Sequence, residues 1–268
     1  MNFICPKCKA KLTVAQSGAA VCPLGHSYDR SREGYYNLFL SNAGGVHGDN
    51  RDMIIARRTF LESGAYAPLA ARIAALAGEH CRSGLAVDVG CGEGYYTSRV
   101  FDVLSHNSVA LSGFDISKEA VRLASKRVKG ASFAVASAYD MPYADSSCDL
   151  LINVFSPLAI EESARVLKKG AKFIMAIPAP RHLYALKAVA YDEPYENSPE
   201  DRALPHFSLI SEEQLSFEME LSGSEIIRSL FMMTPYAYRT SEEGRARVAA
   251  LESLRCEADF ILLVYERE

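Results

Sequence analysis

Cys5-Pro6-Lys7-Cys8 and Cys22-Pro23-Leu24-Gly25-His26 place two pairs of metal-seeking side chains on two short turns. A tetrahedral zinc ion takes four thiolate or imidazole donors, and a CxxC turn lets two sulfurs reach one ion. The stretch between the pairs carries Leu12, Val14, Ala20 and Val21, long enough for a small hairpin that brings the knuckles together. With Cys5, Cys8, Cys22 and His26 all engaged, no coordination position remains for water, so the expected zinc is structural. Scattered buried or free cysteines are the plainer alternative; Cys81, Cys91, Cys148 and Cys256, which lack knuckle partners, are read as structural or incidental.

A second constellation begins at Asp88. Asp88-Val89-Gly90-Cys91-Gly92-Glu93-Gly94 follows a buried run and opens a helical one, and Gly90 and Gly92 let the backbone turn sharply and approach a ligand closely. The spacing is not that of a GxGxxG dinucleotide loop, and no P-loop lysine follows. An Asp two residues before GxGxG resembles the first motif of class I S-adenosylmethionine methyltransferases. There the acidic residue deals with the amino-acid portion of the cofactor and the glycines make room for it. Further on, Gly113-Phe114-Asp115-Ile116-Ser117 puts Asp115 25 positions after Gly90, where a carboxylate can accept both ribose hydroxyls. Ser137-Ala138-Tyr139-Asp140-Met141-Pro142 resembles the adenine-binding loop of the same class. Arg165-Val166-Leu167-Lys168-Lys169-Gly170 resembles its RxLKPGG turn, with Lys169 where proline is usual. A nucleotide-sugar or NAD enzyme is the alternative on the same fold.

These residues need a scaffold. From Leu85 onward apolar strand-length runs alternate with helical ones: strands over 85–89, 109–115, 132–137, 148–155 and 171–178, helices over 93–104, 118–128 and 160–167. Continuous apolar strands separated by helices indicate a parallel sheet covered on both faces. Strands over 215–221 and 258–267, with a helix over 224–233 between them, are expected to close one edge, one of them antiparallel. The fold expected is the α/β, Rossmann-like, class I methyltransferase with a seven-stranded, mostly parallel sheet and a small zinc-ribbon-like N-terminal domain. Residues 1–40 form that module, the small and polar 41–50 a flexible linker, and 51–268 the methyltransferase domain. Asp52 is expected to cap the helix that follows the linker, and a second helix runs near 68–76.

The 268 residues suit one full-size domain with an appendage. No apolar run approaches the roughly 20 residues that span a bilayer, and the N-terminus lacks a secretory pattern, so a soluble, cytoplasmic protein without membrane contact is expected. A net charge of -4 disfavours non-specific coating of nucleic acid, which leaves local charge to carry RNA binding. Lys7, Lys9, Lys11, Arg30 and Arg32, interleaved with Tyr28, Tyr35 and Tyr36, provide such charge. A basic surface with aromatics suits RNA loops, although a solvated ribbon packed on the main domain fits the same residues.

Taken with Glu33-Gly34-Tyr35-Tyr36-Asn37-Leu38, Ala56-Arg57-Arg58-Thr59-Phe60-Leu61, Asp88 to Tyr96, Pro178 to Leu183 and Met233-Thr234-Pro235, the chain resembles a known family nearly end to end. It is similar to the bacterial 23S rRNA (guanine-N1)-methyltransferases with an N-terminal zinc-binding domain. The resemblance implies S-adenosylmethionine-dependent methylation of guanosine N1 in a hairpin loop of 23S rRNA near the peptide exit tunnel. Two neighbouring guanosines are targets in different subgroups, and both stay open here, as does a homodimer. The resemblance also matches Cys5, Cys8, Cys22 and His26 to zinc ligands, Gly92, Glu93 and Asp115 to cofactor contacts, and places Tyr66 and His182 near the cofactor pocket.

Guanine N1 carries a proton at neutral pH, so a base, or a group that stabilises the ring at O6, should stand nearby. Candidates are Asn153, Phe155 and His182, together with Arg57, Arg58 and Arg181. Phe155 or Tyr139 could stack on a flipped guanine, and ordinary core packing is the alternative for each. Two other functions suit parts of the pattern: a small-molecule methyltransferase, and a non-catalytic zinc-containing RNA-binding factor.

Overall fold

The computed structural model describes residues 1–40, 50–198 and 201–268. The linker expected over 41–50 lies outside the described residues, Asn50 excepted. The elements, in order, are β1 (Thr13–Val14), β2 (Ala20–Val21), β3 (Ser27–Tyr28), β4 (Tyr36–Asn37), α1 (Arg51–Glu62), α2 (Ala67–His80), β5 (Ser83–Val89) and α3 (Tyr95–Leu104). There follow β6 (Ser108–Asp115), α4 (Lys118–Arg127), β7 (Ser132–Val135), β8 (Cys148–Val154), α5 (Ile160–Val166) and β9 (Leu167–Pro178). The chain ends with α6 (Tyr184–Ala190), β10 (Phe207–Ser222), α7 (Ser224–Met232), α8 (Tyr236–Arg239), α9 (Glu242–Ala249) and β11 (Ser253–Arg267).

Strands β5 to β11 supply the seven expected, in the order β10-β11-β9-β8-β5-β6-β7, and β4 adds an eighth beyond β7. Pairing is parallel from β4 through to β9, with Asp88 opposite Gly113 and Val89 opposite Asn153. Strand β11 enters antiparallel between β9 and β10, so β10 closes the edge. The ends of β5, β6 and β8 therefore lie side by side, which puts the loops after Val89, Asp115 and Val154 at one edge, where ligands of open α/β sheets bind.

Alternation along the strands divides most of the interior into two cores, and a third, smaller cluster gathers Tyr35, Cys91, Val121, Phe133 and Val135. Ala86 and Leu150 face a core shared with Ile73, Ala77, Val100 and Leu104 of α2 and α3. Leu85, Val87 and Val89 face the other, together with Phe3, Leu12, Ala20, Tyr36 and Leu38 from the N-terminal segment. That segment is thus welded to one face of the main sheet through its own apolar residues. Each large side chain so buried contributes about 1.5–3 kcal/mol. The first residues also form a three-stranded sheet of their own, β1-β2-β3.

Helix α1 departs from expectation at its start. Asn50, not Asp52, is the cap: its side-chain oxygen accepts from the Met53 N–H at 2.9 Å, and Asp52 sits in the first turn. Both residues suit a helix N-terminus, the second through the dipole.

Candidate active site and metal centre

Two tight turns build the metal centre. In the first, the Lys9 N–H returns to the Cys5 carbonyl at 2.8 Å; in the second, the Gly25 N–H returns to Cys22 at 3.0 Å with Gly25 at φ +82°. Cys5, Cys8, Cys22 and His26 converge, with all four donor atoms within 4.8 Å of one another. Cys8 Sγ lies 3.6 Å from Cys22 Sγ, and His26 Nδ1 lies 3.4 Å from the sulfurs of Cys5 and Cys22. Zinc–sulfur and zinc–nitrogen bonds of about 2.3 and 2.0 Å set tetrahedral donors about 3.5–3.8 Å apart, so the group fits a zinc ion. Tyr28 places its hydroxyl 3.1 Å from Cys5 Sγ, the kind of outer contact that holds a ligand in orientation.

The glycine loop forms one wall of a cavity of about 1030 Å³. Gly90, Gly92 and Gly94 all take positive φ, at +69°, +54° and +84°. A side chain on Gly90 would strike Ser156, whereas one on Gly92 would meet no atom of the described residues within 4 Å. Gly92 and Ser117 donate their N–H groups to the two carboxylate oxygens of Asp115, at 3.1 and 2.8 Å, which ties the loop after β5 to the loop after β6. The cavity floor is polar yet incompletely satisfied: Glu93 Oε1 and the hydroxyls of Tyr95 and Tyr96 are buried without a hydrogen-bond partner among the described residues. Arg127 brings a guanidinium nitrogen to 2.8 Å from Glu93 Oε2, close enough for charge attraction but not aligned as a hydrogen bond. Burial raises the Glu93 pKa and Arg127 opposes it. Buried polar atoms of this kind are costly unless a ligand or water satisfies them, so a small polar cofactor fits this wall.

Tyr66 and His182 line the cavity as well. The Asp259 backbone N–H donates to His182 Nδ1 at 3.2 Å, and His182 Nε2 lies 3.2 Å from the Tyr66 hydroxyl. An amide N–H can only donate, so Nδ1 is the bare nitrogen and Nε2 carries the proton given to Tyr66. Burial, reinforced by the charge of Lys187, pushes the His182 pKa down to about 3. With one nitrogen accepting and the other donating, both ring nitrogens of His182 are engaged within the protein.

Asn153 is similarly occupied. Its side chain donates to the Pro157 carbonyl at 3.3 Å and accepts from the Ser156 N–H at 3.2 Å, so it braces the turn after β8. On that turn Phe155 takes φ +58°, a left-handed conformation that a bulky residue rarely adopts. Phe155 remains 45% exposed, with its ring centroid 5.6 Å from that of Phe260. Tyr139, 67% exposed, stands elsewhere on the wall of the same cavity. Core packing accounts for neither ring.

The cavity thus gathers Tyr66, Gly90, Gly92, Glu93, Asp115, Ile116, Ser137, Ala138, Asn153, Phe155 and His182. Asp88 is the exception among the expected contacts. It is 3% exposed, points to the α3 side, and accepts from the Thr97 hydroxyl at 2.5 Å; burial raises its pKa to about 6. Since it shares strand parity with Ala86, its side chain braces the loop from beneath instead of lining the cavity. Tyr95, Tyr96, Met53, Arg57 and Tyr238 also line the cavity. For the tyrosines the usable signal was a polar aromatic pair directly after the glycine loop. For Met53 and Tyr238, brought together by a 2.7 Å contact between hydroxyl and sulfur across 185 positions, there was none.

Residues 83–224 match a family model described as a methyltransferase domain, and residues 3–41 match one described as the N-terminal region of RlmA, a zinc ribbon. The 23S rRNA (guanine(748)-N(1))-methyltransferase of Streptomyces fradiae is 31% identical over 93% of this chain and 91% of its own length. A protein of Micromonospora griseorubida, provisionally named as a 23S rRNA (guanine-N1)-methyltransferase, is 32% identical over 92% of this chain and 90% of its own. A Bacillus subtilis relative with a similar provisional name, YxjB, is 27% identical over 98% and 96%. Similarity over nearly the whole of both chains, together with the matches of this chain to a zinc ribbon and a methyltransferase domain, places it in the 23S rRNA (guanine-N1)-methyltransferase family.

Proposed function

We propose that this chain methylates N1 of a guanosine in a hairpin loop of 23S rRNA, with S-adenosylmethionine as donor and zinc as a structural ion. The main support is the union, in one cavity, of the glycine-loop wall with exposed Phe155 and Tyr139. Few ligand pockets exceed about 1,000 Å³, so this one has room for both a cofactor and a nucleobase. Residues 1–40 act as the zinc module and 51–268 as the methyltransferase domain, joined by 41–50. Among the described residues no helix is long and apolar enough to cross a membrane. A cytoplasmic location goes with the rRNA substrate.

S-adenosylmethionine supplies, when bound, a methyl group on a positively charged sulfur that leaves in an in-line displacement. The chain's part is placement and electrostatics. Asp115 holds the ribose hydroxyls, since a carboxylate oxygen accepts more than one hydrogen bond. Ile116, Ser137 and Ala138 flank the adenine. Gly90 and Gly92 give the backbone its close approach, and Glu93 and Tyr66 face the amino-acid end. Asp88 acts indirectly by fixing the loop. Phe155 stacks on the flipped guanine, for which every base offers a π-face. Arg57 is the only lysine or arginine on the described cavity wall, and its cation stabilises guanine O6 as the N1 proton leaves to water.

Incubation with radiolabelled S-adenosylmethionine and protein-free 23S rRNA, followed by mass mapping, tests this. Label on a single guanosine N1 is expected. Label on a metabolite alone would move the assignment to small-molecule methylation, and no transfer at all would leave a binding protein.

A further inference from the structure

The zinc module touches the cavity from behind. Ser137, Ala138 and Tyr139 line the cavity, and they belong to a loop, 137–143, whose outer side rests on the first knuckle. Ile4 donates its N–H to the Pro142 carbonyl at 3.0 Å, Lys9 pairs with Asp140, and the buried ring of Phe3 stands 5.6 Å from that of Tyr143. At the loop's entry, β4 pairs with β7, and the Leu38 N–H donates to the Val135 carbonyl at 2.9 Å, two positions before Ser137. The module therefore brackets the loop at both ends.

From the other side, Arg165 donates to the carbonyls of Met141 and Tyr143, and Glu162 accepts from the Met141 N–H. That grip stops short of the tip. Besides the local turn onto Ser137, Asp140 at the tip is held by Lys9. Lys9 directly follows Cys8, and its left-handed backbone, φ +59°, is part of the turn that wraps the metal centre. An exposed ion pair adds little to stability by itself, but Lys9–Asp140 is what ties the module to the loop tip, while the buried backbone bond and ring contact hold the far end of the loop.

We propose that the first zinc knuckle is a positioning device for the cofactor wall, so that zinc and S-adenosylmethionine bind with positive coupling. Ile4, Phe3 and Lys9 carry the coupling to Ser137, Ala138 and Tyr139. The inference rests on the cofactor site proposed above. Coupling between binding sites is reciprocal: whatever factor the metal adds to cofactor affinity, the cofactor adds to metal affinity.

The test titrates zinc on the full-length chain against a chromogenic chelator, with and without saturating S-adenosylhomocysteine. Zinc affinity should rise by about fivefold or more with the nucleoside, within the usual range of such couplings. A linkage through global folding would give the same sign, so the comparison chain is Phe3→Leu with Lys9→Ala, which keeps all four metal ligands. In that chain the factor should fall below about twofold. If it fails to fold, Lys9→Ala with Asp140→Ala, both at exposed positions, replaces it and should show a reduced factor. An equal factor in wild type and variant, or none in wild type, overturns the proposal. Calorimetry on the wild-type chain separates the two layers: binding of S-adenosylhomocysteine without coupling sinks this inference alone, whereas no binding sinks the cofactor site as well.

Discussion

Tyr66 and His182 lie 116 positions apart in sequence and meet at 3.2 Å in the cavity wall, with the imidazole held neutral and its proton given to the phenol oxygen. The Asp259 amide on β11 enforces this arrangement, so three distant segments fix one hydroxyl. The phenol ring is itself clamped edge-on between Phe60 and Phe260, at 4.9 and 5.1 Å.

Removing the hydroxyl should therefore do more than lose one bond. In Tyr66→Phe the His182 Nε2–H is left buried without an acceptor, at a cost of about 1–3 kcal/mol. Thermal denaturation should show the loss, and calorimetry with S-adenosylhomocysteine should show weaker binding. A variant with wild-type melting and wild-type affinity would remove Tyr66 from the site.

The same imidazole sets a pH dependence. His182 titrates at about 3 in the folded chain, below its ordinary value of 6.5, so between these pH values the unfolded chain binds the extra proton. Stability contributed by this group is full above pH 6.5 and falls as the pH drops, by up to about 1.4 kcal/mol per unit. Asp88 works the other way: with its folded value raised from 3.8 to about 6, it favours the folded chain as the pH falls through 6. His182→Gln should flatten the acid side of the stability profile measured by urea denaturation, and Asp88→Asn should steepen it. Unchanged profiles would show that neither group is held as described.

Much of this site could be read from the sequence because a few residue types have narrow uses. Two knuckles with the right spacing, and glycines at the end of an apolar run, admit few structures, and strands β5 to β9 follow from their continuous apolar character. What escaped depends on direction and distance. The type and position of Asp88 were plain, yet only the parity of β5 turns it toward Thr97 and away from the cavity. Asn50 and Asp52 are both good caps, and local chemistry alone does not choose between them. Strand β4 is two residues long, too short for any periodicity, and exists because β7 offers it an edge. The part of the cavity wall built by Met53 and Tyr238 comes from helices that meet only in the folded chain.

Gly90 and Gly92 sit two positions apart and should fail differently. A Cβ at Gly90 would lie 2.2 Å from Ser156 Oγ, so Gly90→Ala combines crowding, about 1–3 kcal/mol, with left-handed strain of about 1–2 kcal/mol. Gly92→Ala meets no atom of the described residues and bears only the strain. It should stay folded and lose affinity for S-adenosylhomocysteine by calorimetry, because its methyl occupies space the ligand needs. Full binding by Gly92→Ala would mean that the cofactor does not approach this backbone.

Phe155 offers the sharpest separation of stability from recognition. Its left-handed backbone costs free energy that glycine would not incur, and its ring recovers some of this against Phe260 and Tyr96. Phe155→Gly removes both contributions, so the melting temperature should change little. Cofactor affinity should also hold, since the cofactor wall is formed by other loops. Methylation of 23S rRNA should fall steeply, because each stacked base is worth about 1–3 kcal/mol, or roughly 5- to 150-fold in kcat/KM. Phe155→Tyr, which keeps the ring, should restore most of the rate. If Phe155→Gly methylates rRNA at the wild-type rate, the exposed ring does not hold the target base, and Tyr139 becomes the side chain to vary next.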